Sequence, residues 1–286
     1  MDILKPHERD LGGGLIVSRV LPGFPRQMVG PFVFLDQMGP QAVAPDQNVD
    51  VRPHPHIGLA TVTWLFEGEM IHRDSLGAVQ PIAPGDVNWM TAGAGIVHSE
   101  RGDPGRRKSA RRMFGVQSWV ALPLDKETAA PTFSHHAASS LPRMRMGGAS
   151  LTLIAGDAFG ERAPTPVASR TFYIAAELEA GATLELPPEH QERGIHLVQG
   201  EIQVDGVPLP ERNLAFLATG EKNIIQAKAP SRVMFLGGDK MDGRRFIWWN
   251  FVASSKEKID AAKRRWKEQR FPAVPGESEF IQLPEK

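Results

Sequence analysis

The sequence predicts an all-β protein built from two barrels, with one short helix near its C-terminal end. The chain has 286 residues, a length that suits about two domains. Its 28 glycines and 24 prolines divide it into many short apolar runs. Such runs, rich in β-branched and aromatic residues, are typical of sandwiches and barrels. A similar phrase in each half further suggests two copies of one barrel.

Strand-like runs in the first half occupy residues 15–17, 32–35, 60–66 and 116–122. Residues 132–148 lack periodicity and are predicted to connect the halves. The predicted domains are therefore residues 1–135 and 136–286. Strand-like runs resume in the second half at residues 171–175, 183–186, 195–199, 202–204 and 232–236, and Asp205-Gly206 predicts a type I′ hairpin. The repeated phrase is FEGEM at 66–70 and VQGEI at 198–202.

A helix is predicted over about residues 254–270. Ser254 and Glu257 have the spacing of a capping box, and Pro272 would end the helix. Ile259, Ala262 and Trp266 fall on one helical face, which should pack against a barrel. The basic residues of this helix are expected to form a solvated face.

Composition narrows the function classes. Lys plus Arg and Asp plus Glu both number 33, so nucleic acid is not an expected partner. The chain has no cysteine, which excludes disulfides and thiolate metal sites. Residues 1–10 are charged and predict no secretory signal. No run reaches the roughly 20 apolar residues of a membrane span. We therefore expect a cytoplasmic protein without membrane contact. A monomer is expected because two barrels can cover each other's faces.

Four side chains predict a metal site: His54, His56, His98 and Glu100. Each pair, His54 with His56 and His98 with Glu100, has one residue between its members. On a β-strand this spacing directs both side chains to one face. Three neutral imidazoles and one carboxylate suit one divalent first-row metal ion. Iron(II) is the expected ion, with nickel, manganese, copper, cobalt and zinc as alternatives.

Other histidines are expected to have lesser roles. His72 is predicted to lie on the surface or just outside the ligand set, and His135-His136 is predicted to be solvated. When Gly200 is aligned with Gly68, Leu186 and Pro188 take the places of His54 and His56. A second metal site is therefore not expected.

The stretches HPHIGLATVTWLFEGE (54–69) and PGDVNWMTAGAGIVHSE (84–100) resemble the pirin family, a branch of the bicupins. The phrases FVFLD (32–36) and RFIWWNFV (245–252) are also similar to pirins, so the resemblance covers essentially the whole chain. It implies two cupin barrels, of jelly-roll type, that face each other. It also implies that His54, His56, His98 and Glu100 bind one iron in the N-terminal cupin, whereas the C-terminal cupin is metal-free.

Two positions depart from the wider pattern. Ala60 stands where general cupins carry a glutamate, so Glu100 takes the carboxylate role, as in pirins. Ala94 stands between Gly93 and Gly95, where pirins commonly carry an arginine. If that arginine supports the site electrostatically, its absence alters the surroundings of the metal.

The resemblance implies quercetin 2,3-dioxygenase activity, in which O₂ cleaves a flavonol ring with loss of carbon monoxide. A divalent metal acting as a Lewis acid would stabilise the flavonol anion. Glu100 is the candidate catalytic base for the 3-hydroxyl proton. Phe32, Phe34, Trp64 and Met90 are candidates for an apolar wall around the substrate, or else ordinary barrel core.

The alternative is a protein without enzymatic activity. Some relatives resemble iron-dependent transcription cofactors or modulators of metabolic enzymes, in which iron acts as a redox switch. Residues 106–112, sequence RRKSARR, carry five cations soon after Glu100. This basic segment is predicted to lie at the rim of the metal barrel. There it would attract an anionic protein partner or a deprotonated flavonol, or form only a solvated loop.

Overall fold

A computed structural model describes residues 1–11, 14–47, 49–217 and 219–285. The chain forms two compact units. The histidine unit comprises residues 9–17, 38–135 and 242–286, and the apolar unit comprises residues 1–8, 18–37 and 136–241. Both units combine segments that are distant in sequence, whereas the predicted division cuts the chain once, after residue 135. The N-terminal residues, for example, lie in the apolar unit because Asp2–Leu4 pairs with a strand at Leu214–Leu217.

The described residues are predominantly strands, which confirms the predicted all-β fold. In chain order the elements are β1 (Asp2–Leu4), β2 (His7–Asp10), β3 (Ile16–Leu21), β4 (Phe32–Val43), β5 (Val51–His56), β6 (Leu59–Glu67), β7 (Met70–Asp74), β8 (Val79–Ile82), β9 (Val87–Thr91), β10 (Ile96–Arg101), β11 (Arg111–Ala121), β12 (Thr132–His136), β13 (Arg143–Met146), β14 (Ala149–Ala158), β15 (Glu161–Arg162), β16 (Thr171–Leu178), β17 (Thr183–Leu186), β18 (Glu192–Gln199), β19 (Ile202–Val204), β20 (Val207–Leu209), β21 (Leu214–Leu217), β22 (Asn223–Ala227), β23 (Ser231–Gly238), β24 (Phe246–Trp248), β25 (Phe251–Ala253) and α1 (Lys256–Lys267). Short 3₁₀ turns occur at Pro104–Arg106 and Ala138–Ser140. Strands β12 and β13 fall within the segment that was predicted to be an irregular connection.

Two sheets contribute most of the histidine unit. One has the order β12-β9-β6-β11-β4-β3-β2, and the other has the order β5-β10-β7-β8. Strands β24 and β25 form a separate hairpin. Leu65 of the first sheet and Met70 and Ile82 of the second share one buried cluster. The two sheets therefore pack face to face around a common interior.

The apolar unit repeats this arrangement. Its larger sheet has the order β1-β21-β18-β23-β16-β14-β13, with β15 paired to β14, and its smaller sheet has the order β17-β22-β19-β20. The order β5-β10-β7-β8 corresponds strand by strand to β17-β22-β19-β20. The repeated phrase lies at the same turn in both, where Gly68 and Gly200 have φ of +93° and +108°. Glycine adopts such angles without a steric penalty. The predicted internal repeat is thus confirmed.

Helix α1 is shorter than predicted and begins two residues later, at Lys256. Its N-cap is Ser255, whose hydroxyl accepts the Lys258 amide, while the hydroxyl of Ser254 donates to Glu127 at 2.8 Å. Ser254 is therefore not the cap, because a carboxylate distant in sequence occupies its side chain. The apolar face is confirmed: Ile259, Ala262 and Trp266 are buried. In the described residues, no helix is long and apolar enough to cross a membrane.

Candidate metal centre

Three imidazoles meet where β5 and β10 pair. The strands are antiparallel, with His98 opposite His54 and Ile96 opposite His56. Opposed residues on neighbouring strands share a face, so the three rings project to the same side. One potential ligand atom from each of His54, His56 and His98 lies within 4.8 Å of the others, and all three residues are buried. The predicted placement of the histidines on two adjacent strands is confirmed.

Pro53 lies at an irregularity between the two strands. The register shifts between His98 and Glu100, because Glu100 stands opposite Val51 rather than opposite Arg52. Strand β5 therefore has one extra residue at this point, as in a β-bulge. Proline tolerates this position because β5 is the edge strand of its sheet. The bulge displaces Glu100 from the regular pairing that aligns His98 with His54.

Backbone carbonyls hold two of the imidazoles in a defined tautomer. His54 Nδ1 lies 2.8 Å from the Arg52 carbonyl oxygen, and His56 Nδ1 lies 3.0 Å from the Asn250 carbonyl oxygen. A carbonyl oxygen only accepts, so each Nδ1 must carry the proton. The Nε2 atom of each ring then presents a lone pair, as a metal ligand requires.

His98 is held by a buried relay. Asp74 Oδ1 accepts the Leu76 and Ala78 amides, and its Oδ2 lies 2.8 Å from His72 Nε2. His72 Nε2 therefore donates, and its Nδ1 lone pair faces His98 Nδ1 at 3.4 Å. This arrangement directs the His98 proton to Nδ1 and leaves its Nε2 available. His72 is buried, so the surface alternative is wrong, and its position just outside the ligand set stays a prediction.

The resulting arrangement brings two lone pairs together. His56 Nε2 and His98 Nε2 are 3.1 Å apart in a buried site. Burial, and then the charges of neighbouring histidines, lowers the pKa of His56 and of His98 well below the ordinary value. The rings are therefore neutral at pH 7. Two facing lone pairs repel each other, and a shared cation would relieve that repulsion.

Glu100 is buried beside this group with half of its carboxylate unsatisfied. Oε1 accepts from Gln117 Nε2 at 2.8 Å and lies 3.8 Å from His98 Nδ1. Oε2 has no hydrogen-bond partner among the described residues. A buried carboxylate oxygen without a partner is costly, and a metal ion would satisfy it. Glu100 lies outside the group of three histidines whose ligand atoms are within 4.8 Å, so its role as fourth ligand stays a prediction.

The donor set fits one divalent metal ion. Three neutral nitrogen ligands and an adjacent carboxylate are compatible with iron(II) and with its first-row neighbours. Two independent observations on this chain favour a cation here: the facing Nε2 atoms of His56 and His98, and the unpartnered oxygen of Glu100.

A cavity of about 620 Å³ opens beside Glu100, within the range of small-molecule sites. Its apolar lining includes Leu15, Met38, Val43, Val49, Met70 and Met113. The three imidazoles do not line it, so Glu100 is the member of the predicted ligand set that reaches the cavity.

The predicted aromatic wall is not part of this cavity. Phe32, Phe34, Trp64 and Met90 are all buried, and in the described chain none lines it. Phe32 and Phe34 belong to the apolar unit, where Phe32 packs against Tyr173 at 5.0 Å. Their alternative assignment, ordinary core, is the one that the packing supports.

Trp64 and Met90 differ in the face they occupy. Met90 stands opposite Thr61, which also stands opposite Trp119, and Trp119 contacts His56 at 5.1 Å. Met90 therefore shares the histidine-facing side of the sheet. Side chains alternate between the two faces along a strand, and Trp64 is the third residue after Thr61 on β6. Trp64 therefore projects from the opposite face of the sheet.

The basic segment does reach the cavity, but it is largely paired. Arg106, Arg111 and Arg112 line the cavity together with Glu100. Arg106 contacts Glu69 at 2.9 Å, and Arg112 contacts Glu67 at 2.6 Å. Outside the cavity lining, Arg107 contacts Asp50 at 2.6 Å. These pairs offset much of the positive charge that the sequence displays.

Two further positions have unexpected partners. His135 was predicted to be solvated; it is partly exposed, and its Nδ1 lies 2.8 Å from Asn88 Oδ1. The carbonyl of Ala94 accepts from Arg265 Nη1 at 2.8 Å. An arginine thus contacts this turn, although it comes from α1.

Sequence reasoning undervalued His72 and missed Asp74, Gln117 and Trp119. A signal for them was available, because His72 with Asp74 and Gln117 with Trp119 show the same one-residue spacing as the ligand pairs. The spacing alone would not have identified which strands carry the site.

Known proteins match the chain over most of its length. The Pirin family model matches residues 15–120, and the model of the Pirin C-terminal cupin domain matches residues 173–272. A pirin-like protein from Caulobacter vibrioides is 49% identical, covering 99% of each chain. A Pseudomonas aeruginosa protein, provisionally named a quercetin 2,3-dioxygenase, is 40% identical over 91% of this chain and 81% of its own.

Solved structures agree. The crystal structure of a quercetin 2,3-dioxygenase from Acinetobacter baumannii superposes with a TM-score of 0.91 and 32% identity, covering 100% of this chain and 96% of that one. The predicted bicupin fold is confirmed by this similarity and by the two family models.

Proposed function

Because the chain belongs to the pirin family, we propose that it is a metal-dependent dioxygenase of the quercetin 2,3-dioxygenase type. Its reaction would be cleavage of a flavonol ring by O₂, with release of carbon monoxide. The observation that carries this proposal is the position of Glu100, which borders both the histidine cluster and the cavity. The quercetin 2,3-dioxygenases among the similar proteins support the same substrate class.

In this proposal His54, His56 and His98 hold the ion through their Nε2 atoms, and Glu100 is the fourth ligand. Iron(II) is the first choice, because mixed imidazole and carboxylate donors suit it. When bound, the metal supplies Lewis-acid stabilisation of the substrate oxygen and access to O₂ chemistry. The relay of Asp74 and His72 keeps His98 in the tautomer that this role needs.

Glu100 is the proposed base for the flavonol 3-hydroxyl proton. Gln117 holds Oε1, so Oε2 is the oxygen that would take the proton once it has loosened from the metal. A base must come within hydrogen-bond reach of the proton it removes, and Glu100 lines the cavity that would hold the substrate. A flat aromatic ligand suits the apolar lining, and its removal from water would contribute to binding.

The test is turnover by protein loaded with a defined metal. Metal-free protein would be reconstituted with iron(II) without oxygen, then mixed with quercetin and O₂. We expect loss of flavonol absorbance together with one carbon monoxide per flavonol consumed. Full metal occupancy without turnover, for iron and for the alternative ions, would overturn the dioxygenase assignment.

The regulator alternative has less support. A protein partner at residues 106–112 remains a prediction, as do the cytoplasmic location and the monomeric state. The ion pairs of Arg106, Arg107 and Arg112 reduce the field that an anionic partner would experience. Affinity purification in both iron oxidation states would recover such a partner if it exists, and neutralising those arginines should then weaken its binding.

A further inference from the structure

The strands that carry the ligands have a second, outward face. Residues alternate along a strand, so Val97, Ser99 and Arg101 of β10 project away from His98 and Glu100. Val97 and Ile57, which follows His56, belong to a buried cluster with Phe251 and Trp266. The C-terminal part of the histidine unit thus covers the back of the metal strands.

Glu277 makes the polar contacts on that face. Its Oε1 accepts from Ser99 Oγ at 2.9 Å and from Arg101 Nε at 3.0 Å, and its Oε2 pairs with Arg101 Nη2. Ser99 and Arg101 flank Glu100 in sequence. The Glu277 carboxylate therefore binds the two residues on either side of Glu100, the proposed fourth ligand.

The charged residues around Glu277 differ in how far they are exposed to water. Arg101 also contacts Asp50 at 3.4 Å and Glu279 at 2.9 Å, and Arg73 contributes a favourable charge to Glu277. The Glu277 side chain is only 11% exposed, whereas that of Glu279 is 50% exposed. The bonds of Glu277 are consequently screened much less by water than that of Glu279.

Further backbone contacts extend this attachment. The Ile281 amide donates to the Pro53 carbonyl at 2.8 Å, beside the bulge that separates His54 from Val51. The Asn250 carbonyl accepts from His56 Nδ1, as described above. Trp249, which precedes it in the hairpin turn, has φ of +51°, a conformation that non-glycine residues rarely adopt. Such strain is typical of backbone that positions a functional group.

We propose that the segment 273–285, held by Glu277, is a clasp that positions the metal-binding strands, and that metal binding and closure of the clasp stabilise each other. Glu277 is a positioning residue in this view, since it acts on Glu100 through Ser99 and Arg101. The proposal rests on the metal centre of the proposed function. Between Gln269 and Glu285 the described chain has no helix or strand of its own, so its order depends on contacts such as these.

Coupling follows from the geometry of the bulge. The pairing between β5 and β10 is interrupted between His98 and Glu100, so fewer ladder bonds fix the ligand positions there. Contacts from behind must supply the missing restraint. Thermodynamic linkage makes this effect reciprocal. If the closed clasp increases metal affinity, metal binding stabilises the closed clasp by the same free energy.

The experiment compares Glu277→Gln with Glu279→Gln, since both remove a carboxylate that contacts Arg101. Nickel(II) serves as the probe, with affinity measured by competition with a chromophoric chelator. Hydrogen exchange of the Ile281 amide reports closure of the clasp. We expect nickel affinity to fall about tenfold in Glu277→Gln, the size of effect typical of groups that orient metal ligands, and to change less than about twofold in Glu279→Gln. Nickel should slow Ile281 exchange in the wild type and much less in Glu277→Gln.

Ser99→Ala provides a second variant, because it removes one of the same bonds without changing any charge. It should reproduce part of both effects. Equal nickel affinity in Glu277→Gln and Glu279→Gln, or Ile281 exchange that nickel does not slow in the wild type, would overturn the clasp while leaving the metal centre intact. Failure of the wild type to bind nickel or any other divalent ion would instead overturn the metal centre, and the coupling with it.

Discussion

The two units have one strand order but opposite interiors. When Gly68 is aligned with Gly200, the strand registers assign each residue of the histidine unit an equivalent position in the apolar unit. The equivalent residues are Leu186 for His54, Ile225 for Glu100 and Val204 for His72. The same registers place Gln117 at Phe235 and Asn88 at Ala215. Every one of these partners in the apolar unit lies in its main buried cluster. At these five positions, one framework thus supports polar groups in one copy and apolar core in the other.

The difference shows how much stability a barrel gives up when polar groups replace apolar side chains in its interior. In the apolar unit, those five positions bury hydrocarbon and contribute to stability. In the histidine unit, the same positions hold groups that need hydrogen-bond partners or a cation, and Glu100 Oε2 has no hydrogen-bond partner among the described residues. The histidine unit therefore depends on added contacts, and the bonds of Glu277 to Ser99 and Arg101 are among them.

The largest expected effect is the loss of metal binding when one imidazole of the histidine unit is removed. We expect His98→Ala to abolish tight binding of one divalent ion, because it deletes the ring that lies between His56 and the His72 relay. Metal content after dialysis against iron(II) or nickel(II) is the measurement. Asn223→Ala, at the equivalent position of the apolar unit, is the control and should keep one ion per chain. A His98→Ala protein that retains its ion would show that the ligands are misassigned.

Placing a ligand in the apolar unit should show that its framework alone is not a site. Ile225→Glu introduces a carboxylate where Glu100 lies in the other unit, but with Leu186 and Phe235 as neighbours instead of His54 and Gln117. An unpaired buried charge should lower the free energy of unfolding by about 3–5 kcal/mol. Urea unfolding at pH 7 measures this, with Ile225→Leu as the control for the change in shape. A loss as small as that of Ile225→Leu would mean that the carboxylate finds water or a partner.

The apolar unit should also respond to acid through His196. Burial, opposed by the Asn213 carbonyl and reinforced by Arg212, lowers the pKa of His196 to about 4. The unfolded chain binds this proton below about pH 6.5 and the folded chain does not, so stability is full above pH 6.5 and falls towards pH 4. At pH 5 the loss is about 2 kcal/mol. Replacing His196 with Gln should flatten this part of the curve of unfolding free energy against pH. An unchanged slope would assign the acid sensitivity to other groups.

The sequence was informative where chemistry follows from local spacing. The one-residue spacing of His54 with His56 and of His98 with Glu100 predicted two strands with shared faces, and the strands lie there. Equally, the i, i+3 and i+7 spacing of Ile259, Ala262 and Trp266 predicted the buried face of α1.

Features set by partners distant in sequence were not predictable in this way. Ser254 has the sequence of a cap, yet Glu127 binds its hydroxyl from 127 residues away. Trp64 and Met90 both look like wall residues, but only the pairing of β6 with β9 determines which face each occupies. Glu277 reaches Ser99 across 178 residues, and no local pattern indicates that contact.

The smallest effect should come from Glu100, where we expect one substitution to raise the free energy of unfolding without metal and to lower it with metal, each relative to the wild type. Glu100→Gln keeps an oxygen for Gln117 and replaces a buried carboxylate with an amide, which costs less to remove from water. Without metal we expect the variant to be more stable than the wild type by about 1 kcal/mol, because Oε2 is unpartnered there. With nickel added, the order should invert, since the carboxylate then gains a cation that the amide binds weakly. Urea unfolding with chelator and with nickel measures both arms. If the variant is less stable under both conditions, Glu100 is a structural acceptor for Gln117, and the polar interior of the histidine unit is not maintained for a metal.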